Sequence, residues 1–426
     1  MEFLERIIEM TSFEELIFQP EYLLMISLSL LLLYLGIVKK YEPLLLVPIG
    51  FGVLIANIPG ANLGVVKIEE SLGLLEIAKE YGIINLLYYS LIKTGFLPPI
   101  IFMGIGALTD FGPMLKNLRL VFFGAAAQFG IFTVLILASW IGFSNQEAAA
   151  LAIIGGADGP TAIYTAIILA PHLLGPIAIA AYSYMALVPV LIPMVVKLTV
   201  SKKEILINMK KQDEKYPSSV KIKNMNALKI IFPILMTLMI SIIVPSATPL
   251  IGFLMFGNLI KEIGVSTVRL SKAASDTILN TSTIFLGLSI GATMTPSSFL
   301  NLETIGIIVG GLFAFMISIF SGIMAVKIYN LFIKKKINPL IGATGLSAVP
   351  MASRVANELA LNEDNSTCTY SDGVCDTCVD GNIILQFFEV SESTTDVPFS
   401  ATSFISLSFS KFDSSLVLAT SVTPAK

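Results

Sequence analysis

The chain has 426 residues, of which 55% are hydrophobic and only 13% charged, with a mean hydropathy of +0.83. That composition excludes an ordinary soluble domain and implies many membrane-spanning helices. The formal net charge of −3 argues against a nucleic-acid partner, and no Gly-x-x-x-x-Gly-Lys-Ser/Thr or Gly-x-Gly-x-x-Gly segment points to ATP or a dinucleotide.

Residues 1–20 are acidic and interrupted by charge, which excludes a cleavable signal peptide and leaves a surface-lying amphipathic segment. A first span is predicted over Glu21–Val38, closed by Lys39-Lys40. Pro43–Asn57 is apolar but short and glycine-rich, residues 58–80 form a polar loop, and Tyr81–Ile92 is a short apolar piece. Phe96–Leu115 and Leu120–Phe143 are spans, with Trp140 where an interfacial aromatic belongs. Glu147–Ala170 is apolar but broken in its middle. Leu174–Val196 spans and carries Tyr182 and Tyr184, and Lys202–Lys229 is a lysine-rich loop. Ile230–Val244, Pro249–Ile260, Ile278–Met294 and Ile305–Ile333 are further spans, the last closed by Lys334-Lys335-Lys336. Asn338–Arg354 is a second apolar stretch interrupted by Gly, Ser and Pro.

The basic clusters at Lys39-Lys40, Lys116/Arg119, Lys202–Lys229 and Lys334–Lys336 belong on the cytoplasmic side. Their parity works if Glu147–Ala170 is a re-entrant pair of half-helices entering from outside and the second broken stretch enters from the cytoplasm. An internal repeat agrees with this. Pro48-Ile-Gly-Phe-Gly-Val-Leu-Ile-Ala-Asn57 resembles Pro249-Leu-Ile-Gly-Phe-Leu-Met-Phe-Gly-Asn258, and Ile101-Phe-Met-Gly104 recurs as Ile284-Phe-Leu-Gly287. Gly/Pro-broken segments at matching places in two halves point to a transporter site at the membrane midplane. The expected fold is an all-α polytopic membrane protein, with inverted-topology repeats and two broken or re-entrant helices meeting near the midplane. Its divisions are the N-terminal segment 1–20, a first membrane repeat 21–200, a basic cytoplasmic loop 201–229, a second membrane repeat 230–356, and a polar tail 357–426.

The chemistry centres on Gly155-Gly156-Ala157-Asp158-Gly159-Pro160-Thr161. An Asp at membrane depth costs roughly 2.5–3.5 kcal/mol on insertion scales, so it marks an ion or proton site unless it is structurally paired at a kink. Gly159 is expected as an N-cap and Pro160 as the first residue of a new half-helix, leaving freed backbone groups and a carboxylate at one spot. In the second break, Asn338 is an N-cap or an oxygen donor, and Ser347 supplies a hydroxyl beside Gly345. Asp158, Asn338, Ser347 and Thr161 offer the oxygens that a hard cation wants, and a single carboxylate suits Na+ better than Ca2+. Arg354 is either a snorkelling helix-end residue or a fixed cation able to hold a carboxylate. Tyr184 either passes a proton, ligates an ion or packs with its hydroxyl satisfied. His172, the one histidine, is a loop residue. The three cysteines, Cys368, Cys375 and Cys378, lie in the tail and make no recognisable zinc site.

Gly155-Gly-Ala-Asp-Gly-Pro-Thr-Ala-Ile-Tyr164 and Asn338-Pro-Leu-Ile-Gly-Ala-Thr-Gly-Leu-Ser-Ala-Val-Pro-Met-Ala-Ser-Arg354 resemble the beta subunit of the biotin-dependent sodium-pumping decarboxylases. That family comprises oxaloacetate, methylmalonyl-CoA, glutaconyl-CoA and malonate decarboxylases. The resemblance covers roughly Leu24 to Glu358. It implies a membrane subunit that decarboxylates carboxybiotin and couples this to Na+ export, with one proton consumed. Carried over residue by residue, it implies functional roles for Asp158, Asn338, Gly342, Ser347 and Arg354, and for Tyr184 after the first motif. Catalysis then falls to Asp158, Tyr184 and Arg354, with Arg354 also on the carboxybiotin. Na+ falls to Asp158, Thr161, Asn338, Gly342 and Ser347.

No Ala-Met-Lys-Met-like segment is present. The resemblance therefore implies that biotin arrives on a separate carrier protein, beside a carboxyltransferase subunit and a small membrane-anchored subunit in the inner cell membrane. A homo-oligomer is compatible with it. After about Asn357 this residue-by-residue likeness stops, and the Ser/Thr-rich tail reads as a shifted frame or a divergent terminus. The alternative function is a secondary transporter on the same scaffold, without a catalytic role.

Overall fold

The computed structural model describes residues 12–40, 43–66, 68, 72–116, 120–156, 158–207, 215, 224–345, 352, 355–356 and 358–360. Helices and turns account for their regular structure, and no strand occurs among them. Helix α1 (Pro20–Ile37) packs along α2 (Pro43–Ala56). The apolar piece after the first loop is helical. It forms α3 (Gly82–Leu87) and a π turn, Tyr88–Ile92, then bends by 68° into α4 (Leu97–Leu108). Gly95 makes the corner with a φ of +73°, a conformation that side chains disfavour. Pro98-Pro99 open α4, where the missing N–H groups have no helical partner to lose.

Helix α4 ends at Leu108, earlier than the expected span Phe96–Leu115. Asp110 accounts for the difference: its Oδ1 accepts from the Gly112 N–H at 2.7 Å and so starts a separate short helix, Gly112–Lys116. Next, α5 (Leu120–Ala127) and α6 (Phe129–Ile141) form one apolar span with an interruption at Gln128. The first broken element consists of α7 (Asn145–Ala152) and α8 (Gly159–Leu169). Helix α9 (Leu174–Thr199) bends by 61° between Tyr184 and Leu187. Pro189 explains this bend, because a proline inside a helix withholds a hydrogen bond from the carbonyl four residues back.

The second half holds α10 (Met225–Ile243), α11 (Thr248–Ile263), α12 (Leu279–Thr293), α13 (Leu302–Phe332) and α14 (Leu340–Ala343). Among the described residues four helices are long and apolar enough to cross a membrane, or up to 7 if each bent pair is one span. Large apolar side chains face outward, including Trp140, Ile242 and Phe313. In water that surface would be unfavourable, whereas in lipid it is the ordinary exterior. The protein is an all-α polytopic membrane protein.

The segments matched in sequence are also matched in packing. Helix α2 lies on α12, and α11 lies on α4. In each crossing glycines let backbone meet backbone: a Cβ at Gly106 would collide with the Leu254 carbonyl, and one at Gly257 with the Met103 carbonyl. Likewise, a Cβ at Gly291 would strike the Ile49 carbonyl and one at Gly52 the Leu288 carbonyl. Asn57 Nδ2 donates to the Met294 carbonyl at 2.8 Å, while Asn258 Nδ2 donates to the Thr109 carbonyl at 2.7 Å. A second π turn, Ala273–Ile278, precedes α12 as the first precedes α4. Each half therefore buries its close-packed helices against the other half.

Candidate functional site

The first broken element begins with a reciprocal cap. Ser144 Oγ accepts from the Glu147 N–H, and Glu147 Oε2 accepts from the Ser144 N–H at 2.8 Å. His172 Nε2 lies 2.8 Å from Glu147 Oε1. These hydrogen bonds, Ser144's backbone N–H foremost and then its hydroxyl and His172, hold the Glu147 carboxyl below the usual range. After α7 the chain tightens into a 3-10 turn, Ile153–Gly156.

Asp158 then adopts an extended backbone, φ −121° and ψ 101°, and caps α8. The sequence alone suggests Gly159 as the cap, with Pro160 opening the helix. The structure moves it one residue earlier because a carboxylate can accept from the helix start, which a glycine cannot. Asp158 Oδ1 lies 3.4 Å from the Thr161 N–H, and Thr161 Oγ1 donates to Asp158 Oδ2 at 2.6 Å. Asp158 as a residue is 7% exposed. Gly159 is required by contact: a Cβ there would sit 2.9 Å from Tyr182 Oη and closer still to its ring. Gly155 lies against the Gly130 backbone, and its carbonyl accepts from Ser318 Oγ at 2.7 Å.

The second broken element is pinned at its start. The Asn330 side chain donates to the Ile337 carbonyl at 2.6 Å and accepts from the Ile337 N–H at 2.8 Å. Asn338 Oδ1 accepts from the Leu340 N–H at 3.0 Å, and its Nδ2 donates to the Ile205 and Ile207 carbonyls. Its amide thus starts α14 and ties it to the loop after α9. Gly342 meets Gly322 of α13 backbone to backbone, and a Cβ on either would overlap the other's carbonyl. Gly345 lies against Ala127. Ser347 and Arg354 lie outside the described residues.

Both broken elements therefore reach one place, the α5–α6 junction facing α13. Gly155 and Gly156 pack on Gly130, Ile131 and Gln128, while Gly345 packs on Ala127. Ser321 Oγ of α13 donates to the Ala126 carbonyl at 2.9 Å. Asp158 and Thr161 are in direct contact, whereas Asn338 bonds to Leu340, Ile205 and Ile207 and Gly342 packs on Gly322, so neither is brought against Asp158 by these contacts.

Tyr184 points elsewhere. Its hydroxyl donates to the Ile308 carbonyl of α13, with the Ile307 carbonyl at 3.2 Å, and its ring covers Gly311. The tyrosine at Gly159 is Tyr182. Sequence reasoning also passed over Gln128 and Ser318. The available signal was an amide and a hydroxyl within apolar spans, where polar groups are scarce.

A family profile described as "Na+-transporting oxaloacetate decarboxylase beta subunit" matches residues 21–383, reaching past Asn357. The oxaloacetate decarboxylase beta chain of Haemophilus ducreyi is 43% identical over 390 residues, covering 80% of this chain and 87% of its own. The methylmalonyl-CoA decarboxylase beta subunit of Propionigenium modestum is 45% identical over 352 residues, covering 80% of this chain and 87% of its own. That of Veillonella parvula is 47% identical over 333 residues, covering 78% and 82%.

Proposed function

The chain belongs to the Na+-transporting oxaloacetate decarboxylase beta-subunit family, and we propose that it decarboxylates carboxybiotin and couples this to Na+ export across the inner cell membrane. The observation that carries this reading is the Asp158 carboxylate, buried at a helix break where both broken elements converge. A carboxylate held by a threonine hydroxyl offers hard oxygen, which suits a monovalent cation when neutral oxygens complete the set.

In this proposal Na+ is the transported substrate, and Asp158, Thr161, Asn338, Gly342 and Ser347 contribute to its path. Asn338 and Gly342 act chiefly by positioning the second element, since the amide of the one accepts from the Leu340 N–H just ahead of α14, whose cap is Pro339, and the other permits its contact with α13. Carboxybiotin supplies the chemistry: its N–C bond breaks, carbon dioxide leaves, and the ring nitrogen takes a proton. Arg354 holds the departing carboxylate, a role suited to a permanently charged guanidinium. Tyr184 or Asp158 delivers the proton. Because this chain has no biotinylation segment, a carrier protein brings the group, with a carboxyltransferase subunit and a small membrane-anchored subunit as further partners. The two broken elements enter from opposite sides of the membrane, so release of carbon dioxide is linked to a switch in which side the cation faces. Moving one charge against 100 mV costs about 2.3 kcal/mol.

The test is the complex in proteoliposomes with externally supplied acyl substrate. Carbon dioxide release that depends on Na+, together with Na+ movement across the bilayer, supports the reading. Na+ movement that ignores the substrate would replace it with a plain secondary transporter.

A further inference from the structure

We infer that the carboxamide of Gln128 is an uncharged oxygen ligand of the cation held at the Asp158 break, an inference that rests on the cation reading above. Gln128 is 1% exposed, and neither its Oε1 nor its Nε2 has a hydrogen-bond partner among the described residues. Buried amides are rarely left so, because each unsatisfied atom gives up its water without replacement. An amide held dry and unpaired in a membrane interior calls for a ligand to complete it.

Its position says which one. Gln128 sits in the interruption between α5 and α6, where its N–H reaches back to the Ala125 carbonyl and its own carbonyl accepts from the Ile131 N–H. These short-range bonds tighten the helix and give Gln128 a distinct exit direction. Its Oε1 faces the first broken element: a Cβ built on Gly156 would lie 3.4 Å from that oxygen. Asp158 is two residues further on. Tyr182 Oη is also buried without a hydrogen-bond partner and lies against Gly159. Orphan polar atoms thus lie against Gly156 and Gly159, the glycines before and after Asp158 in sequence.

The charge balance also selects a neutral group here. Asp158 already supplies a carboxylate, and a second one at 128 would add another negative charge beside it in a buried place. An amide oxygen raises the number of donors without adding charge. It also belongs to a different helix from Asp158, so separating α6 from α8 would dismantle the cation's surroundings and permit release.

The experiment uses the purified decarboxylase complex, with thermal unfolding and half-maximal decarboxylation followed against NaCl at ionic strength held constant with choline chloride. Gln128→Met keeps length and volume but removes the oxygen, and Gln128→Glu keeps the oxygen and adds a titratable charge. For Gln128→Met we expect a shift of both midpoints to tenfold or higher Na+, with a melting temperature in choline no lower than that of the native complex. For Gln128→Glu we expect a Na+ midpoint that becomes pH-dependent, falling as pH rises. A Gln128→Met complex with the native Na+ midpoints overturns the inference, as does a loss of stability that is the same with and without Na+. Should Gln128→Met fail to assemble, a Gln128→Glu midpoint that ignores pH overturns it equally. Asp158→Asn separates the two levels. If it responds to Na+ as the native complex does, the cation reading itself falls; if it alone abolishes the response, only the role of Gln128 is lost.

Discussion

The Thr161 hydroxyl donates to Asp158 Oδ2 at 2.6 Å within the first turn of α8. That bond fixes one oxygen of the carboxylate and aims it while leaving its charge in place. Thr161→Val keeps the shape and deletes the donor. The loss of one hydrogen bond to a charged acceptor, about 1.5–3 kcal/mol, should raise the Na+ concentration for half-maximal decarboxylation by tenfold or more. Na+ titration of the variant complex checks this, and Thr161→Ser should restore most of the native value.

Gly342 and Gly322 share one contact, so they should share one phenotype. An alanine at either position places a Cβ against the opposite carbonyl. Overpacking of this kind typically costs about 1–3 kcal/mol. If Gly342 serves by close approach, Gly322→Ala should lower the melting temperature and the transport rate as much as Gly342→Ala does. A much milder Gly322→Ala would assign Gly342 a direct part at the cation.

Asp110 and Lys229 give a pH-dependent prediction at the edge of the bundle. Lys229 Nζ lies 2.6 Å from Asp110 Oδ1 and 3.7 Å from Glu262 Oε2. Burial alone would push the Asp110 carboxyl up, but the Lys229 hydrogen bond, the Gly112 N–H and the nearby lysine charges outweigh it and hold it below its usual range. A depressed carboxyl stabilises the fold above its unfolded pKa, and that stability is lost as pH falls through the folded value. Asp110→Asn should therefore lower the melting temperature at neutral pH and flatten its decline under acid. Melting curves run from pH 7 down to well below the ordinary carboxylate pKa of about 3.9 test both parts.

Tyr184 offers a fourth test because its hydroxyl is already engaged with the Ile308 carbonyl. Tyr184→Phe removes that bond, worth about 1 kcal/mol net. If Tyr184 carries the proton, the decarboxylation rate should fall and its pH profile should move. A fall in melting temperature with an unmoved pH profile would limit Tyr184 to fastening α9 to α13. Tyr182→Phe, made alongside, reports on the hydroxyl that lies at Gly159.

The break at Asp158 was legible because a charge among glycines and a proline interrupts an apolar run, and each of those residues has a fixed physical cost there. The exact cap was not, since Asp158 and Gly159 both suit an N-cap and only the carboxylate's reach to Thr161 decides between them. Tyr182 and Tyr184 show another limit. Residues two positions apart on a helix differ by about 200° in direction, so of two tyrosines alike in composition the rotation of α9 decides which lies at Gly159. Gln128 was visible as an amide in an apolar span, but its lack of partners depends on what surrounds it in space, including Gly156 of the first broken element. The repeated Pro-to-Asn spacing foretold matching helices; it did not foretell that Asn57 and Asn258 would each reach into the opposite half.

That exchange bears on how the molecule is made. A ribosome delivers α2 and α4 to the bilayer long before α11 and α12 exist, so their glycine-lined faces must wait unmatched beside lipid or a chaperone. Chains halted in the lysine-rich loop would be orphans suited to proteolysis. Two half-length polypeptides synthesised together, by contrast, should complement one another, since each presents the glycine face and the asparagine that the other receives.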